Sequence, residues 1–264
     1  LAFPGDWSGG RKAKLTIQNG KVAENETNLP VLVTENTGNW PAEIFLLALN
    51  GGGDIVFSTD SAGAIRLACE IVTFDTGTDT ALIWVNVPNV TASSDTELYI
   101  WYGVAGKSQP AEDAQFGKEE TWNNNYVLIQ HLGESTAGGA PQFIDSTSND
   151  VDGTWGGTAG EFSVAAKIGN GPHLNGANHN IDLQAADLGI INNLTILAWV
   201  ATDRFTGGVF QAILGKRQTG LNYPYLLTLW IGNPVQVTIV SSGLTPDLDI
   251  NQTVTDTSQH HMVA

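Results

Sequence analysis

Cysteine is almost missing from the chain: Cys69 is the sole one in 264 residues. A disulfide framework is therefore excluded, and the run Leu67-Ala68-Cys69-Glu70-Ile71-Val72 makes Cys69 read as a small buried hydrophobe. Basic residues are scarce too, with Lys and Arg totalling 11 against 27 Asp and Glu, for a net charge of −16. Such a balance repels a phosphate backbone and argues against nucleic acid as a partner. No apolar run approaches the roughly 18 residues needed to cross a bilayer, so no membrane insertion is expected. The start, Leu-Ala-Phe-Pro-Gly-Asp-Trp, has no basic region followed by an apolar one, so it does not read as a secretion signal. It fits a processed terminus or a non-standard start codon.

What the chain does have is short β-type runs. Residues 11–17, 29–34, 54–58, 65–74, 81–87 and 97–102 are rich in Val, Ile, Leu, Thr and aromatics, and Asn-Gly, Gly-Gly-Gly and Thr-Gly-Thr-Asp clusters separate them. One segment differs: Asn39 to Gly51 has an Asn able to cap, an early Pro, an acid near the start and Gly past the end. It predicts one short helix near residues 40–49. From Gly103 to Trp122 the chain turns polar, and a second β pattern follows at 126–131, 194–200, 212–215, 225–230, 235–240 and 259–264. The eight Trp divide evenly about that boundary, as two cores require. The expected fold is all-β: an antiparallel β-sandwich over residues 1–108, a linker over 109–122, and a second sandwich over 123–264.

The first half carries ordered motifs: Trp7 before Arg11-Lys12-Ala13-Lys14-Leu15-Thr16-Ile17; Leu29-Pro30-Val31-Leu32-Val33; Gly53-Asp54-Ile55-Val56-Phe57; Cys69-Glu70-Ile71; Ile83-Trp84-Val85-Asn86-Val87-Pro88; and Leu98-Tyr99-Ile100-Trp101-Tyr102-Gly103. Together they resemble the uncharacterised domain of unknown function number 2341, over about residues 5–108. The second half, with Val127-Leu128-Ile129-Gln130-His131-Leu132-Gly133-Glu134, Asp145 to Thr154, Leu194 to Val200 and Ser258 to Ala264, resembles a concanavalin A-like or laminin G-like jelly roll. In that family the last run precedes a further hairpin, so the jelly roll is expected to be incomplete at its C-terminus. The resemblance implies a place on a microbial surface or in a bacteriophage virion, where assembly in the host cytoplasm needs no secretion signal.

Candidate chemistry is sparse. Glycosidases of the concanavalin-like fold carry a Glu-x-Asp-x-x-Glu type of run whose carboxylates flank the scissile bond. Asp247-Leu248-Asp249 has the alternation without the Glu positions and reads as a solvated turn, so no enzyme is expected. Asp145, Asn149, Asp150 and Asp152 offer hard oxygen ligands in one loop, the chemistry of Ca²⁺; Asp145 and Asn149 also suit turn capping, and both readings stand. His131 and Glu134 read as a buried hydrogen-bonding pair, and the adjacent His260 and His261 as strand residues. Trp155, in Gly153-Thr-Trp-Gly-Gly, reads as exposed and, with Tyr223 and Tyr225, as a stacking platform for sugars, whereas Trp84 and Trp199 read as core.

The expected function is a non-enzymatic virion structural protein, a tail, fibre or capsid appendage, whose lectin-like domain binds host-surface glycans. Its partners would be other subunits of the assembly, including copies of itself. The alternatives are a purely structural assembly module, a secreted, extracellular microbial cell-surface glycan-binding protein and, least favoured, a glycoside hydrolase.

Overall fold

The computed structural model describes residues 7, 10–160, 164–183, 188, 194–201, 209–216, 225–231, 235–241, 244–250 and 260–263. The chain forms two compact units: Leu1–His131 with Ile144–Val151, and Leu132–Phe143 with Asp152–Ala264.

In the first unit the described residues form β1 (Arg11–Ile17), β2 (Glu26–Glu35), α1 (Ala42–Leu47), β3 (Val56–Ser58), β4 (Arg66–Leu67), β5 (Cys69–Asp75), β6 (Thr80–Val90), β7 (Thr96–Tyr102) and α2 (Lys118–Thr121). The strands make two antiparallel sheets, ordered β1-β7-β3-β4 and β2-β6-β5. Alternation along each strand sends one set of side chains into a shared core. Phe57, Leu67, Leu98 and Ile100 enter from the first sheet, and Cys69, Phe74, Ile83, Val85 and Val87 from the second. This is a β-sandwich, as expected. Pro30 is tolerated because β2 is an edge strand, where a missing N–H costs no ladder bond on the solvent side. Cys69 is buried, and burial pushes its thiol up to about 12.

The helix is shorter than expected, six residues rather than two and a half turns. Asn39 does not cap it; Pro41 holds that position and Asn39 donates to Thr37 instead. The Glu35 carboxylate takes the backbone N–H groups of Thr37, Gly38 and Trp40 at 2.5–2.7 Å, fixing the chain before the helix begins. At the far end Ala48 turns extended, and Leu49 donates its N–H to Asp54 Oδ1 at 2.8 Å rather than continuing the helical ladder. Gly51 then takes a φ of 82°, a left-handed conformation open to Gly without strain.

Asp54 ties two further pieces to this point. It is fully buried, and its Oδ2 accepts the N–H groups of Gly103 and Val104 at 2.7 and 2.9 Å, where β7 ends. Its carbonyl accepts Trp7 Nε1 at 3.1 Å. Residues 109–122, expected as a linker, carry α2, and Asn86 of β6 donates its side-chain amide to the Glu120 carbonyl at 3.0 Å.

In the second unit the strands are β8 (Thr154–Trp155), β9 (Val164–Ala165), β10 (Asn170–Gly171), β11 (Ile181–Asp182), β12 (Leu197–Val200), β13 (Val209–Lys216), β14 (Tyr225–Ile231), β15 (Val235–Ser241), β16 (Leu244–Ile250) and β17 (His260–Val263). β13 to β16 form an antiparallel meander, and β12 pairs with β17, which places His260 and His261 in a strand. Asp247-Leu248-Asp249 lies within β16, not in a turn: Asp249 faces Thr238 and Leu248 faces Ile239. Pro246 lies in β16, which as an edge strand accommodates it.

Asp54→Ala leaves three N–H groups without their carboxylate and is expected to cost about 3 kcal/mol or more of stability. Urea unfolding of the two proteins measures it. The Cys69 thiol is expected to stay unreactive toward Ellman's reagent in native protein and to react once urea unfolds the first sandwich.

Candidate functional site

The outer face of the β1-β7-β3-β4 sheet gathers basic and aromatic side chains. On β1, Ala13, Leu15 and Ile17 pack against the core, so Lys12 and Lys14 point the other way. Register then carries two rows across the sheet: Lys14, Tyr99, Ser58 and Arg66, and beside it Lys12, Trp101 and Val56. The Lys12 ammonium lies 5.1 Å from the Trp101 ring and 5.5 Å from that of Tyr99. Lys14 pairs with Glu97 at 2.9 Å, and the hydrogen bond to Glu97 raises the Lys14 pKa. Trp101 is anchored through Nε1 to Ser58 Oγ at 2.8 Å, and Trp7 packs beside it against Val56.

Next to this surface lies a cleft of about 380 Å³ lined by Trp7, Arg66, Lys107, Ser108 and Gln109, among others. The Arg66 guanidinium sits 5.2 Å from the Trp7 ring and 4.9 Å from that of Phe116. Lys107 Nζ lies 4.8 Å from the Trp7 ring. Aromatic faces attract and order such cations. The loop bearing Lys107 is held closely: a Cβ on Gly53 would come 2.8 Å from the Lys107 carbonyl, so only Gly permits this approach. Gln109 donates its side-chain amide to the Gly52 and Ile55 carbonyls, both at 2.7 Å. Lys12, Lys14, Arg66 and Lys107 are thus gathered on one side of a sandwich in a chain with only 11 basic residues.

The outer face of the other sheet carries a buried polar cluster. Glu70 Oε2 accepts Trp122 Nε1 at 2.7 Å and meets His131 Nε2 at 2.9 Å, while Oε1 accepts Ser146 Oγ at 2.6 Å. Trp84 stacks on His131, with ring centroids 6.3 Å apart, and contacts Trp122 at 5.1 Å. Burial alone would raise the Glu70 carboxyl, but the hydrogen bond and charge of His131, with Ser146 and Trp122, outweigh it and hold the pKa below its usual value. His131 and Ser146 bond to different oxygens of one carboxylate, an arrangement that clasps chain segments together. The expected His131–Glu134 pair is corrected here: the partner of His131 is Glu70, 61 residues earlier in the chain. Residues 126–131 do not form the expected strand, and Gln130 makes an isolated bridge to Asp145.

The residues singled out in the sequence fall as follows. Asp145 is fully buried and caps: Oδ1 accepts the N–H groups of Ile129 and Thr147, both at 3.0 Å, and Oδ2 accepts Thr147 Oγ1 at 2.8 Å and the Val151 N–H at 3.1 Å. Asn149 donates its amide to the Val127 carbonyl at 3.1 Å. Asp150 is exposed with a φ of 52°, and Asp152 is half-buried. Among the described residues, no three His, Cys, Asp or Glu side chains are grouped to hold a metal ion.

Trp155 is not the exposed platform expected of it. It is 7% exposed, its Nε1 bonds to the Thr158 carbonyl at 3.0 Å, and its ring meets Phe143 and His179. Tyr223 lies outside the described residues, and Tyr225 begins β14. Trp199, expected in the core, is 43% exposed with Lys167 Nζ 5.6 Å from its ring, and Trp84 is half-buried on an outer sheet face. Flanking glycines suggested openness at Trp155, but Gly157 lets its own backbone lie against the indole, where a Cβ would come 2.5 Å from the ring.

Residues 51–118 match the family profile described as Domain of unknown function (DUF2341). No curated protein and no solved structure matches the chain. The matched segment spans Asp54, Arg66, Glu70, Tyr99, Trp101 and Lys107, while Trp7, Lys12 and Lys14 precede it.

Because the Glu70 pKa is lowered by folding, its contribution to stability is complete above the ordinary value of 4.5 and is lost as pH falls through the lower folded value. Glu70→Gln is therefore expected to flatten the dependence of unfolding free energy on pH between about 5 and 3. Urea titrations across that range test it, and an unchanged slope would assign the acid sensitivity elsewhere.

Proposed function

We propose that this chain is a non-enzymatic structural protein of a virion or a microbial surface that holds glycans. The observation that carries the reading is the basic and aromatic face of the β1-β7-β3-β4 sheet with its adjoining cleft. Sugar-binding surfaces combine aromatic side chains with a few placed polar groups, and Tyr99, Lys12, Ser108 and Arg66 supply both kinds. This moves the glycan site from the second unit to the first, since Trp155 is packed inward. The non-enzymatic character is part of the proposal, in which Glu70 and Asp145 serve the fold through the donors they engage. The concanavalin A-like assignment of the second unit is part of the proposal and draws support from its antiparallel meander. The virion or surface setting rests on the resemblance of the two halves to such proteins.

A second reading, a purely structural assembly module, is favoured by one observation. Leu197 and Trp199, both on β12, are 55% and 43% exposed, and such apolar surface suits contact with another subunit.

A glycan array separates the two. Binding is expected, is expected to persist in EDTA, and is expected to fall in a Lys12→Ala variant that unfolds at the wild-type urea concentration. Complete absence of binding with and without chelator would favour the assembly module. A chelator-sensitive signal would restore the loop around Asp145 as the site.

A further inference from the structure

Within the glycan-binding reading, on which this step rests, we infer that the cleft beside Trp7 takes one acidic sugar unit, a pyranose carrying a carboxylate or a phosphate. Two cations from separate chain segments, Arg66 on β4 and Lys107 in the loop after β7, converge on one indole at 5.2 and 4.8 Å. Those two distances put the charges within about 10 Å of each other, and both residues line the one cleft, so an anion bound there meets both. The guanidinium is held between Trp7 and Phe116, so its planar fork is oriented in advance, and the planar fork is the geometry that suits carboxylate and phosphate oxygens. Ser108 adds a hydroxyl to the lining, which can meet ring hydroxyls of a sugar. Because the cations already occupy the Trp7 ring, that indole orders charge and is not itself the stacking surface.

The size and charge of the molecule restrict the ligand further. About 380 Å³ is at the small end of ligand sites, which run from about 300 to 1,000 Å³, so it suits one sugar better than a long segment. A net charge of −16 repels an extended polyanion over the whole surface, whereas a single charged unit meets mainly the local cations. The inference is therefore of a terminal or isolated acidic sugar, not a polyanionic chain.

Isothermal titration of the full chain with glucuronate, its methyl ester, glucose 6-phosphate, glucose and inorganic phosphate tests this, alongside the variants Arg66→Met and Lys107→Met. Glucuronate or glucose 6-phosphate is expected to bind, and whichever binds more tightly identifies the acid. Glucose, the methyl ester and both variants are expected to weaken binding by about tenfold or more, the loss of a charge-assisted hydrogen bond. Should Arg66→Met fail to fold, Lys107→Met, on a surface loop, carries the test. Equal binding of the methyl ester and the acid overturns the acidic-sugar inference and leaves the glycan reading standing. Inorganic phosphate as tight as glucose 6-phosphate reduces the cleft to an anion site and also overturns it. Failure of all these sugars, together with a blank glycan array, overturns the glycan reading and the inference with it.

Discussion

A charged carboxylate with no access to water is costly unless every oxygen finds a donor, and Asp54 turns that requirement into architecture. Its two oxygens collect N–H groups from the end of α1 and from the end of β7, and its carbonyl holds the indole of Trp7. The segments so joined are 5, 49 and 47 residues from Asp54 in the chain. The basic face inherits its order from this point. The Asp54 carbonyl fixes the nitrogen of the indole whose ring meets Arg66 and Lys107, and the loop carrying Lys107 leaves β7 along the path that Gly103 and Val104 define.

The two outer faces of the first sandwich are treated in opposite ways. The β2-β6-β5 sheet is roofed by α2 and the segments around His131 and Ser146, and beneath them Glu70 takes Trp122, His131 and Ser146 as partners. Glu70 there serves as a fastener whose strength depends on its staying ionised. The β1-β7-β3-β4 sheet keeps its cations near the surface and pairs them with rings. A face spent on internal bonds has little left for a ligand, so function is better sought on the other one.

Much of this sandwich was legible in the sequence because its strands alternate cleanly between short turns. Arg11-Lys12-Ala13-Lys14-Leu15-Thr16-Ile17 encodes its own inner and outer faces, and Gly53-Asp54-Ile55 stood out as a motif before its role was known. The site was less legible. Arg66 and Lys107 are 41 residues apart and meet only through tertiary packing around Trp7, which no local pattern encodes. Trp155 misled because glycine neighbours signal flexibility in a sequence, yet in a packed loop they permit close approach. His131 misled because its near neighbour Glu134 hid a partner on β5. Asp145 was read both as a cap and as a ligand, and its four donors account for it as a cap.

The return of residues 144–151 to the first unit, after 132–143 have left it, has a bearing on how the protein is made. A nascent chain that has emerged only through β7 already has both sheets of the sandwich, but Glu70 and Trp84 then lie uncovered on one of them. Ser146 completes the carboxylate's set of donors, so the ribosome must deliver a further 44 residues beyond Tyr102 before that acid is closed over. Synthesis order therefore makes the first sandwich wait for part of a later stretch of chain, and a fragment cut at the apparent end of its strands would expose an acidic and aromatic surface that the intact protein keeps covered.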